Sequence, residues 1–172
     1  MTKEAILTKL RKMEEQKVAL LELAASLDET TLTAKSGEDK WSVLDVIEHM
    51  VLAEYHVFQG WPETTQMKAG KRTLMGIMFY YMVLFILRYH IPVQVLDKDM
   101  VPSGKHTLQE LTAMWDKSHN WLRSYLTQLD QNGLRRAVFT HPASGPMIPK
   151  QMIKMMEAHM NRHIDKIDKL LK

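Results

Sequence analysis

The sequence predicts an all-α protein, a bundle of four to five helices forming one domain over 1–172. Three observations carry that reading. Apolar residues recur at three- and four-residue spacing, capping boxes mark helix starts at Ser42 and Thr107, and no stretch alternates convincingly as a strand would. At 172 residues the chain is long enough for one core and short for two, since a domain of this size buries roughly 70% of its unfolded surface.

From Lys3 to Leu27, apolar residues at Ile6, Leu10, Met13, Leu20, Leu23, Ala24 and Leu27 alternate with Lys and Glu at helical spacing, which gives the first helix. A polar stretch from Asp28 to Lys40 follows. Ser42-Val43-Leu44-Asp45 then opens a second helix, because a serine with an acid three residues on can satisfy the free N–H groups of a first turn. That helix is expected to run from Ser42 to about Gln59, ahead of Gly60 and Pro62.

Leu74 to Leu87 is an almost wholly apolar run. At helical rise it covers about 21 Å, against roughly 30 Å for a bilayer core, so a spanning helix is disfavoured. A core helix, or a surface docked on another subunit, fits its length better. Ile91 to Lys105, with Pro92, Pro102 and Gly104, reads as a long connection. Thr107-Leu108-Gln109-Glu110 opens a fourth helix that continues through Leu129 and stops at Asn132-Gly133. A turn-rich segment from Phe139 to Pro146 precedes a last helix starting near Pro149, where proline is tolerated because its N–H would be unpaired anyway. The sequence holds no internal repeat.

The 23 basic and 20 acidic residues are interspersed, so the net charge of +3 gives no concentrated basic surface and argues against nucleic acid as a partner. With no cysteine, the chain has no disulfide, no thiolate nucleophile and no Cys-ligated metal. Met1-Thr2-Lys3-Glu4-Ala5 lacks the apolar core of a signal peptide, so the expected location is the cytoplasm, with no membrane partner.

What remains for metal chemistry is histidine. His159 and His163 stand four residues apart, about 40° apart around a helix and one turn apart along it, so both rings can reach one ion. A third ligand has to come from elsewhere, because such sites want three protein ligands with a position left for water or substrate. His49, among Val46, Ile47, Met50 and Leu52, is the leading candidate, and His56 on nearly the same face is the reserve. Asp45, one turn before His49, is a candidate acceptor for its N–H, although capping explains Asp45 more simply. His159 is followed by Met160, so the HExxH arrangement of zinc proteases is absent. His141 beside Pro142 can line a pocket mouth, but an exposed loop histidine is the plainer reading. Trp61, Trp115, Trp121 and the 14 methionines read as core or interface before they read as a pocket.

Trp41-Ser42-Val43-Leu44-Asp45-Val46-Ile47-Glu48-His49-Met50, then Phe139-x-His141-Pro142-x-x-Gly145-Pro146, then His159-x-x-x-His163, taken in that order, resembles the DinB-like superfamily of metal-binding four-helix bundles. The resemblance implies an up-down-down-up bundle with an extra short helix or long connection, and a divalent ion on His49, His159 and His163 with an open coordination position. It also implies a homodimer. Characterised relatives are often transferases that use a low-molecular-weight thiol, while others are described only as metal-dependent hydrolases, so a small-molecule substrate is implied. One departure is visible: the residue before the last helix, often Ser or Thr in such proteins, is Ile148 here.

Two functions follow as expectations. In the first, an ion held by three imidazoles lowers the pKa of water or of a cofactor thiol, so that hydroxide or thiolate exists near neutral pH. In the second, the protein is a non-enzymatic dimer with a structural or vestigial metal site. Three neutral imidazoles suit zinc, nickel, iron or copper alike, so the sequence leaves the metal open.

Overall fold

Every residue except 38–39, 64–66 and 96 is described by the computed structural model. Residues 38–39 of the polar stretch and residue 96 of the long connection thus lie outside the described residues. The repeat Ile6, Leu10, Met13, Leu20, Ala24 buries one stripe of α1 (Lys3–Ser26), which Thr2 caps by accepting from the Ala5 N–H. The polar stretch contains a short helix the sequence reading missed, α2 (Glu29–Thr33), capped by Asp28. It has no buried residue, so no apolar period could announce it.

Both capping boxes form. Ser42 Oγ accepts from the Asp45 N–H at 3.1 Å while Asp45 accepts from the Ser42 N–H at 2.9 Å, opening α3 (Val43–Val57). Thr107 and Glu110 do the same for α5 (Leu108–Gln128). Helix α3 ends two residues earlier than Gln59, because Gln59, Gly60 and Trp61 all take positive φ and turn the chain sharply. That turn is pinned: Trp61 Nε1 donates to Ser118 Oγ at 2.8 Å and Gln59 Nε2 to the Val138 carbonyl at 2.6 Å. The apolar run forms α4 (Leu74–Arg88), and a 3₁₀ turn covers Lys98–Met100.

The turn-rich segment is more ordered than expected. Phe139–His141 (β1) and Gly145–Met147 (β2) pair antiparallel with Phe139 opposite Met147 and His141 opposite Gly145. The expectation of no strand is therefore corrected: three residues per strand are too few for alternation to show. Gly145 takes φ +66° at the hairpin corner, a conformation glycine adopts without strain. Helix α6 (Pro149–Leu170) starts where Pro149 places it. Ile148 offers no capping oxygen, but Gln151 reaches back and accepts the Ile148 N–H at 3.3 Å, so half a capping box survives the departure at that position.

Helices α1 and α3 each pack on both α5 and α6, which makes a four-helix core. Lys3 donates to the Thr127 and Leu129 carbonyls and Lys17 pairs with Asp116, so α1 and α5 run antiparallel. Lys9 pairs with Glu157 and Gln16 with Asn161, so α1 and α6 run parallel. Glu48 meets His106 while Glu54 meets Trp115 and His119, so α3 and α5 are parallel too. The order is up-down-down-up. Simple antiparallel joining fails between α3 and α5 because the long crossover carrying α4 returns the chain to the same end.

The core is fully apolar at Trp115, Phe58, Phe139, Ile47, Leu111, Leu122 and Leu126, all essentially without exposure. Trp115 is a core anchor that donates to Glu54 at 2.9 Å, while the half-buried Trp121 packs against the core and donates to the Pro62 carbonyl at 2.8 Å. Helix α4 lies at the edge of this core, packed on α6, and contributes only Tyr80 and Leu87 to it as buried residues. Among the described residues no helix is long and apolar enough to cross a membrane.

Candidate metal centre

Two helices that run antiparallel bring three imidazoles together. His159 and His163 share one edge of the buried stripe of α6, and His49 faces them from the middle of α3. His49 Nε2 stands 3.2 Å from His159 Nε2, and His163 Nε2 stands 3.1 Å from the same atom. Ligand atoms of all three lie within 4.8 Å of one another, and among the described residues no other group of three His, Asp or Glu residues is so placed.

The rings are kept neutral. Burial lowers the His163 pKa to about 2, with the charges of His49, Lys166 and Arg162 adding to the effect. His159 lies well below its ordinary value, first through burial and then through its two histidine neighbours. His49 is lowered by burial and, less strongly, by Lys166. Neutral imidazole with a free Nε2 lone pair is the form that binds a metal.

The tautomer of His49 is set by its other nitrogen. Nδ1 lies 2.8 Å from the Met100 carbonyl, so it carries the hydrogen and Nε2 is left as a bare acceptor pointing at His159. Asp45 is not that acceptor: it is occupied by the cap and by Lys35 at 2.8 Å. Hydrogen bonds fix the Met100 segment through Glu48, which is fully buried and accepts from the Ser103 N–H at 3.0 Å, Ser103 Oγ at 2.7 Å and the Gly104 N–H at 3.0 Å, with His106 Nδ1 at 2.8 Å. Burial pushes the Glu48 carboxyl up, and these hydrogen bonds outweigh it, so its pKa is lowered overall.

Trp41 covers the other side of His49 with ring centroids 4.8 Å apart, and Lys166 lies over the Trp41 ring at 4.3 Å. Sequence reasoning missed Trp41, Glu48 and the Met100 carbonyl as parts of this surround. The position of Trp41, just before the Ser42 cap, was the available signal, whereas a backbone carbonyl fifty-one residues from its partner leaves none.

The reserve histidine lies apart. His56 Nε2 pairs with Asp97 at 3.1 Å on the wall of a surface cleft shared with Tyr55 and Thr140, and none of the three converging histidines lines that cleft. His141 is more structured than a loose loop residue. Its Nδ1 accepts from the Ala143 and Ser144 N–H groups at 3.1 and 3.3 Å, and burial lowers its pKa to about 4.

The donor set suits a divalent ion. Nitrogens bound to one tetrahedral zinc at about 2.0–2.1 Å stand roughly 3.3 Å apart, close to the two short separations here. Comparison with known proteins names the family to which this bundle belongs. The DinB superfamily model matches residues 12–167, and the chain belongs to that superfamily. Among solved structures, the crystal structure of TT2238, a four-helix bundle protein, is similar at 23% identity with a TM-score of 0.55, covering 98% of this chain and 99% of that one. That likeness concerns the fold. No curated protein matches the chain.

Proposed function

We propose that this protein holds one divalent ion on His49, His159 and His163 and uses it to activate a low-molecular-weight thiol, or water, against a small electrophilic molecule. The observation that carries this reading is the convergence of three Nε2 atoms, two pairs of them at 3.1 and 3.2 Å. Unmetallated, those lone pairs would face one another in a buried space with few protons to share. Bound there, the ion would supply the positive charge that favours thiolate or hydroxide near neutral pH.

The chain's own residues supply the rest. His49 is oriented by the Met100 carbonyl, and Trp41 excludes water from one flank. Lys166 adds positive charge beside the rings, which favours an anionic ligand. Having no cysteine, the chain leaves the nucleophile to be brought by a thiol or by water.

Elemental analysis of the purified protein, followed by assay of thiol consumption with electrophilic substrates, tests the reading. About one equivalent of metal and thiol-dependent turnover that chelation abolishes are expected. Stoichiometric metal without turnover would leave a structural site, and absence of metal after reconstitution would end the proposal.

A further inference from the structure

The corner of the hairpin is built around an imidazole. His141 ends β1, Pro142 follows it, and the next two N–H groups, of Ala143 and Ser144, fold back onto His141 Nδ1. Proline stiffens this turn, because its φ is fixed at about −65° and it has no N–H of its own to compete for the ring. A nitrogen that accepts two N–H groups carries no hydrogen, so the single hydrogen of the ring sits on Nε2. A second proton would have to break both bonds. Burial lowers the pKa to about 4 as well, so near neutral pH the ring is a neutral donor and not an acid.

That donor is unused. His56, His90, His106 and His119, the other histidines outside the metal centre, each face a carboxylate. Among the described residues the Nε2–H of His141 meets no acceptor. It is also placed on the inner side of the hairpin. Phe139 is buried, Thr140 is exposed, and His141 returns to the side of Phe139, as strand alternation requires. Strand β1 packs on α3 and β2 on α6, the two helices that carry His49, His159 and His163. The ring is near enough to His159 for its charge to be felt there. It is half-buried, so its free edge is not sealed off.

We propose that His141 is a further binding residue of the metal centre, whose Nε2–H donates to the small anion that the ion recruits. This inference rests on the function proposed above. An anionic nucleophile has several lone pairs, and a fixed N–H occupying one of them sets how the anion is turned toward its electrophile. A neutral donor suits that task better than a charged one, because it holds the anion without handing it a proton. The two backbone N–H groups on Nδ1 keep the ring in the one tautomer that can do so.

Two substitutions separate the nitrogens. His141→Asn keeps an acceptor where Nδ1 stands and removes the far donor, whereas His141→Gln keeps a donor that reaches as far as Nε2 and removes the near acceptor. The parent and both variants are loaded with cobalt(II), and azide is titrated in while the visible spectrum of the cobalt is followed. All three should take up the same amount of cobalt. The Kd for azide should rise about tenfold in His141→Asn, the loss of one hydrogen bond to a charged group, and stay near the parent value in His141→Gln. Thermal stability should rank the other way, because only His141→Gln strands the Ala143 and Ser144 N–H groups. A purely structural histidine would instead weaken azide binding in step with the loss of stability. Equal azide affinity in the parent and His141→Asn, or a His141→Gln variant as weak as His141→Asn, would overturn the inference and leave the metal centre standing. A parent protein that takes up no cobalt would end the proposed function, and this inference with it.

Discussion

The Nδ1 of His49 donates to the Met100 carbonyl at 2.8 Å, and the residue beside His49 in the chain, Glu48, ties down the segment that carries that carbonyl. Glu48→Ala should therefore loosen residues 98–106 and with them the aim of His49. Metal affinity is expected to fall by up to about tenfold, less than the roughly 10- to 100-fold usual for a group bonded directly to a ligand, with helical content unchanged. Competition with a chromophoric chelator measures it, and unaltered affinity would show that His49 needs no such support.

Removing a ligand should separate the fold from the site. The core of apolar side chains does not include the three rings, so His163→Ala should stay helical while binding metal at least tenfold more weakly. Metal stabilises the native state by mass action, about 2.7 kcal/mol at a free concentration one hundred times Kd, and the variant should lose that rise in Tm. Loss of the helical circular dichroism signal in the variant would mark the site as structural, and undiminished metal content would remove His163 from the ligand set.

Acid should destabilise the metal-free protein in a defined window. His141 has an ordinary value of 6.5 when unfolded and about 4 in the native state, lowered by burial, and the three converging histidines are lowered in the same direction. As pH drops below 6.5 the unfolded chain takes up protons that the native state refuses, so stability is complete above 6.5 and declines toward pH 4. Asp45 and Glu48 are also lowered, their hydrogen bonds outweighing burial, but their ordinary values of 3.8 and 4.5 confine their loss to more acid solution. Urea midpoints between pH 7 and 4.5 should fall steadily, and His141→Gln should flatten the slope. An equal slope in that variant would exclude His141 as a contributor.

Glu54 tests the opposite half of α3. Its carboxylate accepts from Trp115 Nε1 at 2.9 Å and faces His119 Nε2 at 3.1 Å, all of them buried. Glu54→Ala strands both partners at roughly 1–3 kcal/mol apiece, while leaving His49 and α6 untouched. Denaturant unfolding should show a loss of several kcal/mol at constant metal affinity. A neutral result would mean that water replaces the carboxylate there.

The helical framework was legible because amphipathic period and capping chemistry are local: Ser42, Asp45, Thr107 and Glu110 each act within one turn. The pair His159 and His163 was legible for the same reason, and His49 stood out as an imidazole among aliphatic neighbours. What lay beyond reading were distant pairings. Nothing near Met100 announces that its carbonyl meets His49, and nothing near Glu48 announces a loop some fifty residues away. The hairpin after Phe139 escaped because turn chemistry dominates a segment with only three paired residues on each side.

Helix α3 buries Ser42 at its cap and then Asp45, Glu48, His49 and Glu54, and each of these polar side chains has assigned partners on a different part of the chain or on the cap itself. A purely oily helix can slide or rotate in a bundle with small penalty, since one aliphatic contact substitutes for another. This one cannot. Shifting it by a single residue turns every side chain by about 100° and would leave two carboxylates, an imidazole and their donors unmatched in the interior. Helix α3 therefore works as the notched key of the bundle: the aliphatic residues supply cohesion, and the polar ones permit a single seating, the one in which His49 arrives opposite His159 and His163.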